Sequence, residues 1–253
     1  MKKFLFYISI LFSVHMMAQD NNTALFNEAN DLYNKGKYAE AIDKYRTILD
    51  HNMHSSELYF NLANANYKLN NIAPSIYYYE KALQLDPDDK DIKNNLAFAR
   101  NMTIDAIDSI PEVGLSKVVH NTTNLYTTDT WAYISVVAVI CFVILFLIYH
   151  FSYETLRKRT TFILSLVAIG VAVISLSSAF YRHTLEKNNH PAIVFAKESK
   201  VKSEPNVRSE ESFRLHEGTK LQVTDTIGNW SEIKLSDGKT GWISNQDIRM
   251  LKR

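Results

Sequence analysis

Histidine is the side chain in this sequence with the clearest capacity for catalysis or metal binding. Only His51 and His54 lie close together in the chain. The sequence contains no HExxH metal motif, nucleophile elbow, phosphate-binding glycine loop or carboxylate pair suited to acid and base catalysis. The other histidines are scattered, at His15, His120, His150, His183, His190 and His216. The sequence therefore predicts a protein without catalytic residues, and we expect no cofactor and no metal.

Cysteine content and charge exclude further classes of function. Cys141 is the single cysteine, which rules out a disulfide within the chain and a metal site built from several thiolates. It falls inside a long apolar stretch, where we expect it to serve as a small packing residue. A net charge of +1 with 22% charged residues, and no basic stripe, argues against nucleic acid as a partner.

Two apolar stretches, Trp131–Tyr149 and Thr160–Tyr181, contain no charged residue. As helices they would reach about 28 and 33 Å, enough to cross a hydrocarbon core of about 30 Å. The connector between them, residues 150–159, carries three consecutive basic residues that begin at Arg157. We therefore expect a membrane hairpin that returns the chain to the side it came from. Because neither stretch holds a charge, ion transport is not expected.

The first residues set the orientation that we expect. Two lysines are followed by the apolar run Phe4–Val14 and then by Met16, Met17 and Ala18. This order is typical of a secretory signal peptide, here residues 1–18. The connector would then be cytoplasmic, and the polar segments on both sides of the hairpin would face the periplasm from a bacterial inner membrane.

The second apolar stretch also contains a stripe of small residues at helical spacing. In lipid, small side chains let two helices approach closely and let hydroxyl groups bond across the contact. The stripe suits packing against the first stretch of the same chain or against a helix of a partner. Its members are Thr161, Ser165, Ala168, Ala172, Ser175 and Ala179.

The segment 109–130 leads into the hairpin. From Leu115 to Tyr126 its apolar residues recur at helical spacing, opposite a polar face. The pattern favours an amphipathic helix on the membrane surface, and a plain polar linker fits the composition equally well. On a membrane surface, Trp131 would lie at the outer headgroup level, as interfacial aromatic residues do.

Residues 20–108 have the pattern of a helical repeat. A shift of 34 residues superposes Ala29 on Ala63 and Tyr45 on Tyr79. The segment resembles the tetratricopeptide repeat family, whose aromatic, Leu-Ala, alanine and proline positions match Tyr59, Leu62, Ala63, Tyr67, Tyr79, Ala82 and Pro87. The expected elements are a first helical pair over 22–55, a second over 56–89 and a capping helix over 90–108. Two units are few for a stacked array, so either the cap or a partner must complete the core.

The resemblance implies a peptide-binding groove on the concave surface formed by the first helix of each pair. Asparagine amides there can hold an extended peptide, because each one both donates and accepts hydrogen bonds. The basic residues that clamp a C-terminal carboxylate in one branch of the family are missing. An Asn-rich face in contact with water fits nearly as well. The groove candidates are Phe26, Asn30, Tyr33, Phe60, Asn61, Asn64, Tyr67, Asn94 and Asn95.

The tail, residues 192–253, is organised by turns and short alternating segments. Apolar and polar residues alternate in Lys220–Thr224 and in Ser231–Leu235, and Ser236–Lys239 suits a hairpin turn. We expect five short strands here, which together predict a small all-β barrel.

An ordered set of residues in this tail resembles the bacterial SH3-like domain. Such domains often bind peptides or peptidoglycan, which makes Trp230 and the Glu198–Arg208 loop the candidate ligand surface, with Trp242 expected in the core. A domain that only spaces or docks other parts fits equally well. The matching residues are Val201, Ser203, Pro205, Asn206, Glu217, Gly218, Thr219, Leu221, Val223, Gly228, Trp230, Ile233, Asp237, Gly238, Gly241, Trp242 and Ile243.

Taken together, these parts predict a multi-domain membrane protein. It would hold an all-α tetratricopeptide repeat domain, a two-helix transmembrane hairpin and a small all-β SH3-like barrel. Over its full length, including Leu215–Lys220, the sequence resembles the BatE family of bacterial aerotolerance (Bat) operons. That resemblance implies a scaffold role in an envelope complex, with membrane-anchored von Willebrand A-domain proteins as partners and a MoxR-type ATPase encoded nearby.

The expected function is accordingly a non-enzymatic scaffold or adaptor that contacts proteins and the lipid bilayer. The alternative is a cell-wall protein in which the barrel binds peptidoglycan and the repeats recruit an enzyme.

Overall fold

The computed structural model describes residues 21–107, 110 and 114–252. The predicted signal peptide, residues 1–18, lies outside the described residues. Within the described part, helices come first and strands follow, in the order that the sequence predicts.

The chain divides into two compact units. The first combines Met1–Asp108 with His190–Arg253, and the second is Ser109–Asn189. In the first unit we call residues 21–107 the repeat domain and residues 190–252 the β domain. The second unit, which holds both apolar stretches, is called the hairpin unit.

The repeat domain consists of two helical pairs and one further helix. Its elements are α1 over residues 21–34, α2 (Tyr38–Asp50), α3 (Ser56–Lys68), α4 (Ile72–Leu85) and α5 (Lys90–Arg100). Local residues explain the boundaries. Gly36, with a positive φ of 75°, follows the first helix, and Lys37 N donates to Leu32 O there. Ser55 Oγ accepts from Leu58 N and so caps the start of α3.

The core of the repeat domain follows the 34-residue period. Ala29 and Ala63 are fully buried where the helices of a pair approach each other, and Tyr45 and Tyr79 fill the space beside them. The small positions therefore permit the close contact, and the large aromatic positions occupy the gap.

The expected capping helix is shorter than its sequence pattern indicates. α5 ends at Arg100 and does not continue towards Asp108. After the turn that follows, Thr103 closely approaches the β domain, and Asp105 binds it directly. These contacts give the chain favourable partners outside the helix, so the segment leaves the helical path.

The β domain is one antiparallel sheet of seven strands, where the sequence predicts five. The strands are β1 (Pro191–Val194), β2 (Glu198–Lys202), β3 (Glu211–His216), β4 (Lys220–Ile227), β5 (Trp230–Lys234), β6 (Thr240–Ser244) and β7 (Ile248–Met250). Their order in the sheet is β3-β2-β6-β5-β4-β1-β7. The sheet encloses its own core, which includes Val201, Ile233 and Ile243. β7 has only three residues, and such a short strand leaves little periodic signal in a sequence.

The hairpin unit contains three helices, α6 (Leu115–Thr123), α7 (Thr128–Phe151) and α8 (Thr155–Asn188). The connector is shorter than predicted, because only residues 152–154 between α7 and α8 are not helical. Arg157 and the two basic residues after it form part of the first turns of α8. Glu154 precedes this helix and lies 3.8 Å from the Arg157 side chain.

Both α7 and α8 are long enough and apolar enough to cross a membrane. In the most apolar part of each helix, only 17% of α7 and 28% of α8 are buried. A core helix of a water-soluble protein would be covered by its neighbours. Most of the apolar surface of α7 and α8 is therefore open to whatever surrounds the hairpin.

The small-residue stripe of α8 lies against α7. Five of its six members are buried and Ala168 is half-buried, while Ser178 joins the buried set. Ser135 on α7 is also buried, and its Oγ donates to the carbonyl oxygen of Ala172 at 3.4 Å. The structure thus places the stripe at the contact within the chain.

α6 is tied to the start of α7 and the end of the apolar part of α8. The indole nitrogen of Trp131 donates to Thr123 O at 2.9 Å, and Arg182 donates to Asn124 Oδ1 at 2.8 Å. Trp131 is buried by this packing. Leu115 on α6 is 81% exposed, which leaves an apolar side of this helix uncovered.

Candidate functional site

The nine groove candidates lie on α1, α3 and α5, the first helix of each pair and the helix that follows them. Several of them also support the fold. The ring centroids of Phe26 and Tyr45 are 5.9 Å apart, and those of Phe60 and Tyr79 are 6.0 Å apart. These aromatic candidates are half-buried in contacts between helices. Their use in peptide binding stays a prediction.

An asparagine contact joins α1 to α3. Asn30 Oδ1 accepts from Asn61 Nδ2 at 3.1 Å and from the hydroxyl of Tyr45 at 2.6 Å. Burial, with a smaller contribution from Tyr33, raises the pKa of Tyr45. The phenol therefore stays protonated at neutral pH and acts as the donor.

The same contact recurs 34 residues later, between α3 and α5. Asn64 Oδ1 accepts from Asn95 Nδ2 at 3.0 Å and also from the hydroxyl of Tyr79. These asparagines hold successive helices together through their side-chain amides. A bound peptide would have to use the donors and acceptors that these asparagine contacts leave open, or an exposed neighbour such as Asn94.

Trp230 and Trp242 share the outer face of the β sheet. Glu232 on β5 pairs with Trp242 on β6, and Trp230 lies two residues before Glu232 on the same face. The opposite face carries Ile233 and Ile243, which are fully buried. Both tryptophans are half-buried, so the expectation that Trp242 lies in the core is wrong. The side chains of Trp242 and Ile243, as neighbours on one strand, lie on opposite faces of the sheet, and that of Ile243 lies in the core.

The predicted Glu198–Arg208 loop is only partly a loop. Residues Glu198–Lys202 form strand β2, which pairs with β3 and, at Lys202, with Trp242 of β6. The turn that remains, after Lys202, is held by Ser209, whose carbonyl oxygen accepts from Lys202 Nζ at 2.9 Å. The sequence does not indicate this strand, because its outward positions are charged and only Ser199 and Val201 between them are buried.

The repeat domain and the β domain are joined by a shared apolar core. Ile193 of β1 and Leu251 after β7 are buried in the same cluster as Ile76 of α4 and Leu96 of α5. Two helical pairs are few for a stacked array, and this contact shows what completes their core. The β domain covers the open end of the second helical pair and completes its core.

The backbone of Gly218, in the turn between β3 and β4, lies close to the repeat domain. A Cβ added to Gly218 would lie 2.8 Å from Thr103 Cγ2 and 2.9 Å from both Ile72 Cγ2 and Ile76 Cδ1. Its φ of +88° also favours glycine. The residue type is therefore fixed both by the turn and by the neighbouring helix.

Glu80 on α4 is the buried charge of the junction. Its Oε1 lies 2.6 Å from Arg100 of α5, and its Oε2 lies 2.7 Å from Lys220 of β4. The Glu80 side chain is only 8% exposed, whereas both cations reach solvent. One carboxylate thus binds a helix of its own domain and a strand of the other.

Asp105 forms a second polar contact between the domains. Its carboxylate accepts from Thr219 Oγ1 at 2.6 Å and from His216 N at 2.7 Å, and it lies 2.8 Å from the His216 ring. Burial acts to raise the pKa of Asp105. The hydrogen bonds from Thr219 and His216 together outweigh burial and hold this pKa below its ordinary value of 3.8.

A cleft of about 700 Å³ opens beside this junction. It is bordered by the end of α2, the following loop, α3, α4 and the C-terminal strand β7. Tyr59, Tyr77 and Tyr78 form much of its wall, together with Lys81 and Arg249.

The described residues offer binding surfaces and no metal centre. Among residues 21–107, 110 and 114–252, no group of three or more His, Cys, Asp or Glu side chains could hold a metal ion. Three of the described histidines have partners of other kinds: His51 contacts Asn22, His54 contacts Tyr59, and His216 contacts Asp105.

Sequence reasoning found the segment 215–220 but not its role. His216, Gly218, Thr219 and Lys220 all contact the repeat domain, although the sequence presents them as part of an SH3-like pattern. Their partners lie far away in the chain, and 140 residues separate Lys220 from Glu80. No local periodicity indicates such a pairing.

Comparison with known families agrees with this division of the chain. A model described as tetratricopeptide repeat matches residues 26–90, and one described as bacterial SH3 domain matches residues 197–249. The chain thus carries a tetratricopeptide-like repeat region and a bacterial SH3 domain, with two apolar helices between them. Domains of these two kinds are typically binding modules. No curated protein matches the chain.

Proposed function

We propose that this protein is a non-enzymatic adaptor of the bacterial inner membrane, in which the repeat domain and the β domain act as one protein-binding unit. The observation that carries the proposal is their shared core, where Ile193 and Leu251 are buried against α4 and α5. Two binding modules fixed together present a continuous surface that neither offers alone. The sequence contains no HExxH motif, nucleophile elbow or phosphate-binding glycine loop.

The hairpin unit supports a membrane location. Its two long helices are apolar and mostly uncovered, as lipid-facing helices are. Since the repeat domain and the β domain pack together, both must lie on one side of the membrane, and a two-helix hairpin provides this arrangement. The predicted signal peptide favours the periplasmic side.

The particular family that we propose is BatE. Its support is the order of the parts, a signal, tetratricopeptide units, two spans and a terminal SH3-like domain. The proposed partners are membrane-anchored von Willebrand A-domain proteins of the same operon, in an aerotolerance complex.

Cysteine labelling tests the topology. In a Cys141→Ser background, one cysteine is placed in the β domain (Ser212→Cys) or in the connector (Tyr153→Cys), both at exposed positions. We expect a membrane-impermeant maleimide to label S212C in spheroplasts and to label Y153C only after lysis. The opposite pattern would overturn the periplasmic assignment.

Affinity purification in mild detergent tests the partners. The tagged full-length protein should retain von Willebrand A-domain membrane proteins, as identified by mass spectrometry. A cleft or junction variant that still folds should retain fewer of them. Purification without any such protein would contradict the proposed complex while leaving the fold unaffected.

Peptidoglycan binding is the second candidate function. The observation that favours it is the outer face of the β domain, where Trp230 and Trp242 are both half-buried and available for contact. Sedimentation of the detergent-solubilised full-length protein with purified sacculi separates the two candidates. The adaptor proposal predicts no retention, whereas retention that Trp230→Ala removes would favour the cell wall.

A further inference from the structure

The cleft at the domain junction is separate from the concave surface that the repeat family uses. α4, which supplies Tyr77, Tyr78 and Lys81, is the second helix of its pair, whereas the groove candidates lie on first helices. With a volume of about 700 Å³, the cleft falls in the range of about 300–1,000 Å³ typical of ligand sites.

One wall of the cleft is aromatic. The rings of His54 and Tyr59 stack with centroids 5.8 Å apart, and those of Tyr59 and Tyr78 stack at 6.1 Å. Tyr77 meets Tyr78 edge to face at 5.3 Å. Burial, with smaller effects of Tyr77 and Tyr78, raises the pKa of Tyr59, so its phenol stays neutral. The wall is therefore built of rings in contact with one another, and tyrosine is enriched at protein-binding surfaces.

The charge of the cleft is positive on balance. Lys81 and Arg249 line it, and Asp50 is the one acidic residue in the described lining. The guanidinium carbon of Arg249 lies 4.3 Å from the centroid of Phe195, and this stacking orients the group. Because a stacked guanidinium keeps its N–H groups at the edge of the plane, it suits recognition of a carboxylate. Lys81 Nζ donates to Leu251 O at 3.2 Å, which fixes the second cation.

Aliphatic side chains complete the lining. Leu49, Leu85 and Met250 supply apolar surface beside the cations and the tyrosines. A glycan strand lacks apolar side chains that could use this surface, whereas a peptide can present both carboxylates and aliphatic groups. We propose that the cleft between α4 and β7 binds an acidic peptide segment of a partner protein, with its carboxylates at Arg249 and Lys81 and its apolar side chains against Tyr78 and Leu85.

This inference rests on the proposed adaptor function and names the kind of partner sequence that the joined domains would recognise. Binding at this cleft would require both domains. Neither α4 nor β7 alone brings the tyrosines and Arg249 together.

Fluorescence anisotropy with the full-length protein in detergent provides the test. The probes are two labelled peptides of equal length, one alternating Glu with Leu and Phe, the other with Lys in place of Glu. We expect the acidic peptide to bind about tenfold more tightly than the basic one, and Arg249→Glu to reverse that preference. Lys234→Glu is the matched control, since it makes the same charge change at an exposed position outside the cleft.

A reversed preference in R249E but not in K234E, with the circular dichroism of both variants unchanged, supports the proposal. Equal losses in R249E and K234E would reveal non-specific attraction and overturn it. The proposal would also be overturned if a Tyr67→Ala, Asn94→Ala double variant lost binding of the acidic peptide while R249E kept it. In that case the adaptor function would still stand, with the concave groove as its binding site. Binding of soluble glycan fragments in place of the acidic peptide would also overturn it.

Discussion

Glu80 shows how a single residue can join two domains. Its carboxylate is almost fully buried, yet each of its oxygens has a cationic partner. A buried charge of this kind contributes little beyond the cost of its own burial, but removing one member of the group leaves the others poorly paired. Arg100 and Lys220 both reach solvent, so water can compensate part of that loss.

We expect Glu80→Ala to lower the free energy of unfolding by about 1–3 kcal/mol, because the buried site loses its carboxylate and both cations lose a partner. Glu28→Ala is the control, since Glu28 pairs with Lys44 on the surface and should contribute less than about 1 kcal/mol. Denaturant unfolding followed by circular dichroism measures both. Equal effects would contradict a special role for the buried carboxylate.

Asp105 predicts a dependence of the junction on pH. Its pKa is lower in the folded protein than the ordinary value of 3.8. Folding therefore favours the charged carboxylate, and the stabilisation is fully present above the unfolded pKa and lost as the pH falls through the folded one. The ionisable group that faces it is His216.

We expect Asp105→Asn to lower stability by about 1–3 kcal/mol at neutral pH. Below about pH 5, the difference from the wild type should shrink as the solution becomes more acidic. Unfolding curves of both proteins across this range check the sign. A difference that grows as the pH falls below about 5 would be inconsistent with the lowered pKa of Asp105.

Among the elements, the turn between β3 and β4 fits closely against α4. Gly218→Ala should cost about 1–2 kcal/mol for its positive φ. It should cost about 1–3 kcal/mol more because the new Cβ would meet Thr103, Ile72 and Ile76.

Gly228 offers the matched control for this turn. It also has a positive φ, of 58°, but a Cβ there would meet nothing within 4 Å. Gly228→Ala should therefore show the backbone cost alone. Hydrogen exchange should reveal faster opening of α4 in G218A and not in G228A, and identical behaviour of the two variants would argue against a tight junction.

The contact between α7 and α8 depends on small side chains. Ala172 is buried and its carbonyl oxygen accepts from Ser135, so Ala172→Leu should force the helices apart at a cost of about 1–3 kcal/mol. Val173→Leu enlarges an exposed neighbour and should be nearly neutral. Loss of helicity during titration with a denaturing detergent compares the two, and equal midpoints would contradict the packing role.

For the whole molecule, the β domain should stabilise the far end of the repeat domain. A chain that ends at Asn189 lacks Ile193 and Leu251, so the core around α4 and α5 is open. We expect these helices to exchange their amide hydrogens faster and to become sensitive to protease. α1 and α2 belong to a separate cluster and serve as the internal control. Uniform protection of all five helices would show that the β domain is not needed.

Residue patterns predict the parts of this protein far better than their arrangement. The spacing of Ala29 and Ala63, or of Tyr45 and Tyr79, reports local packing that repeats along the chain, and uncharged stretches report helices of sufficient length. The face of Trp242 is harder to predict, because two neighbouring apolar residues compete for one core position. The junction through Glu80 and Asp105 leaves no local pattern at all, since its partners are more than 100 residues apart.

The burial of Leu251 in the repeat domain also affects how the protein is made. The helices that Leu251 covers emerge from the ribosome long before it does, because 170 residues separate it from Lys81, which binds its carbonyl oxygen. α4 and α5 therefore keep an open core until both apolar helices and the β domain have been synthesised. A protein interrupted during synthesis before the β domain is complete would leave that core uncovered. Completion of the core of the repeat domain therefore depends on the last residues of the β domain.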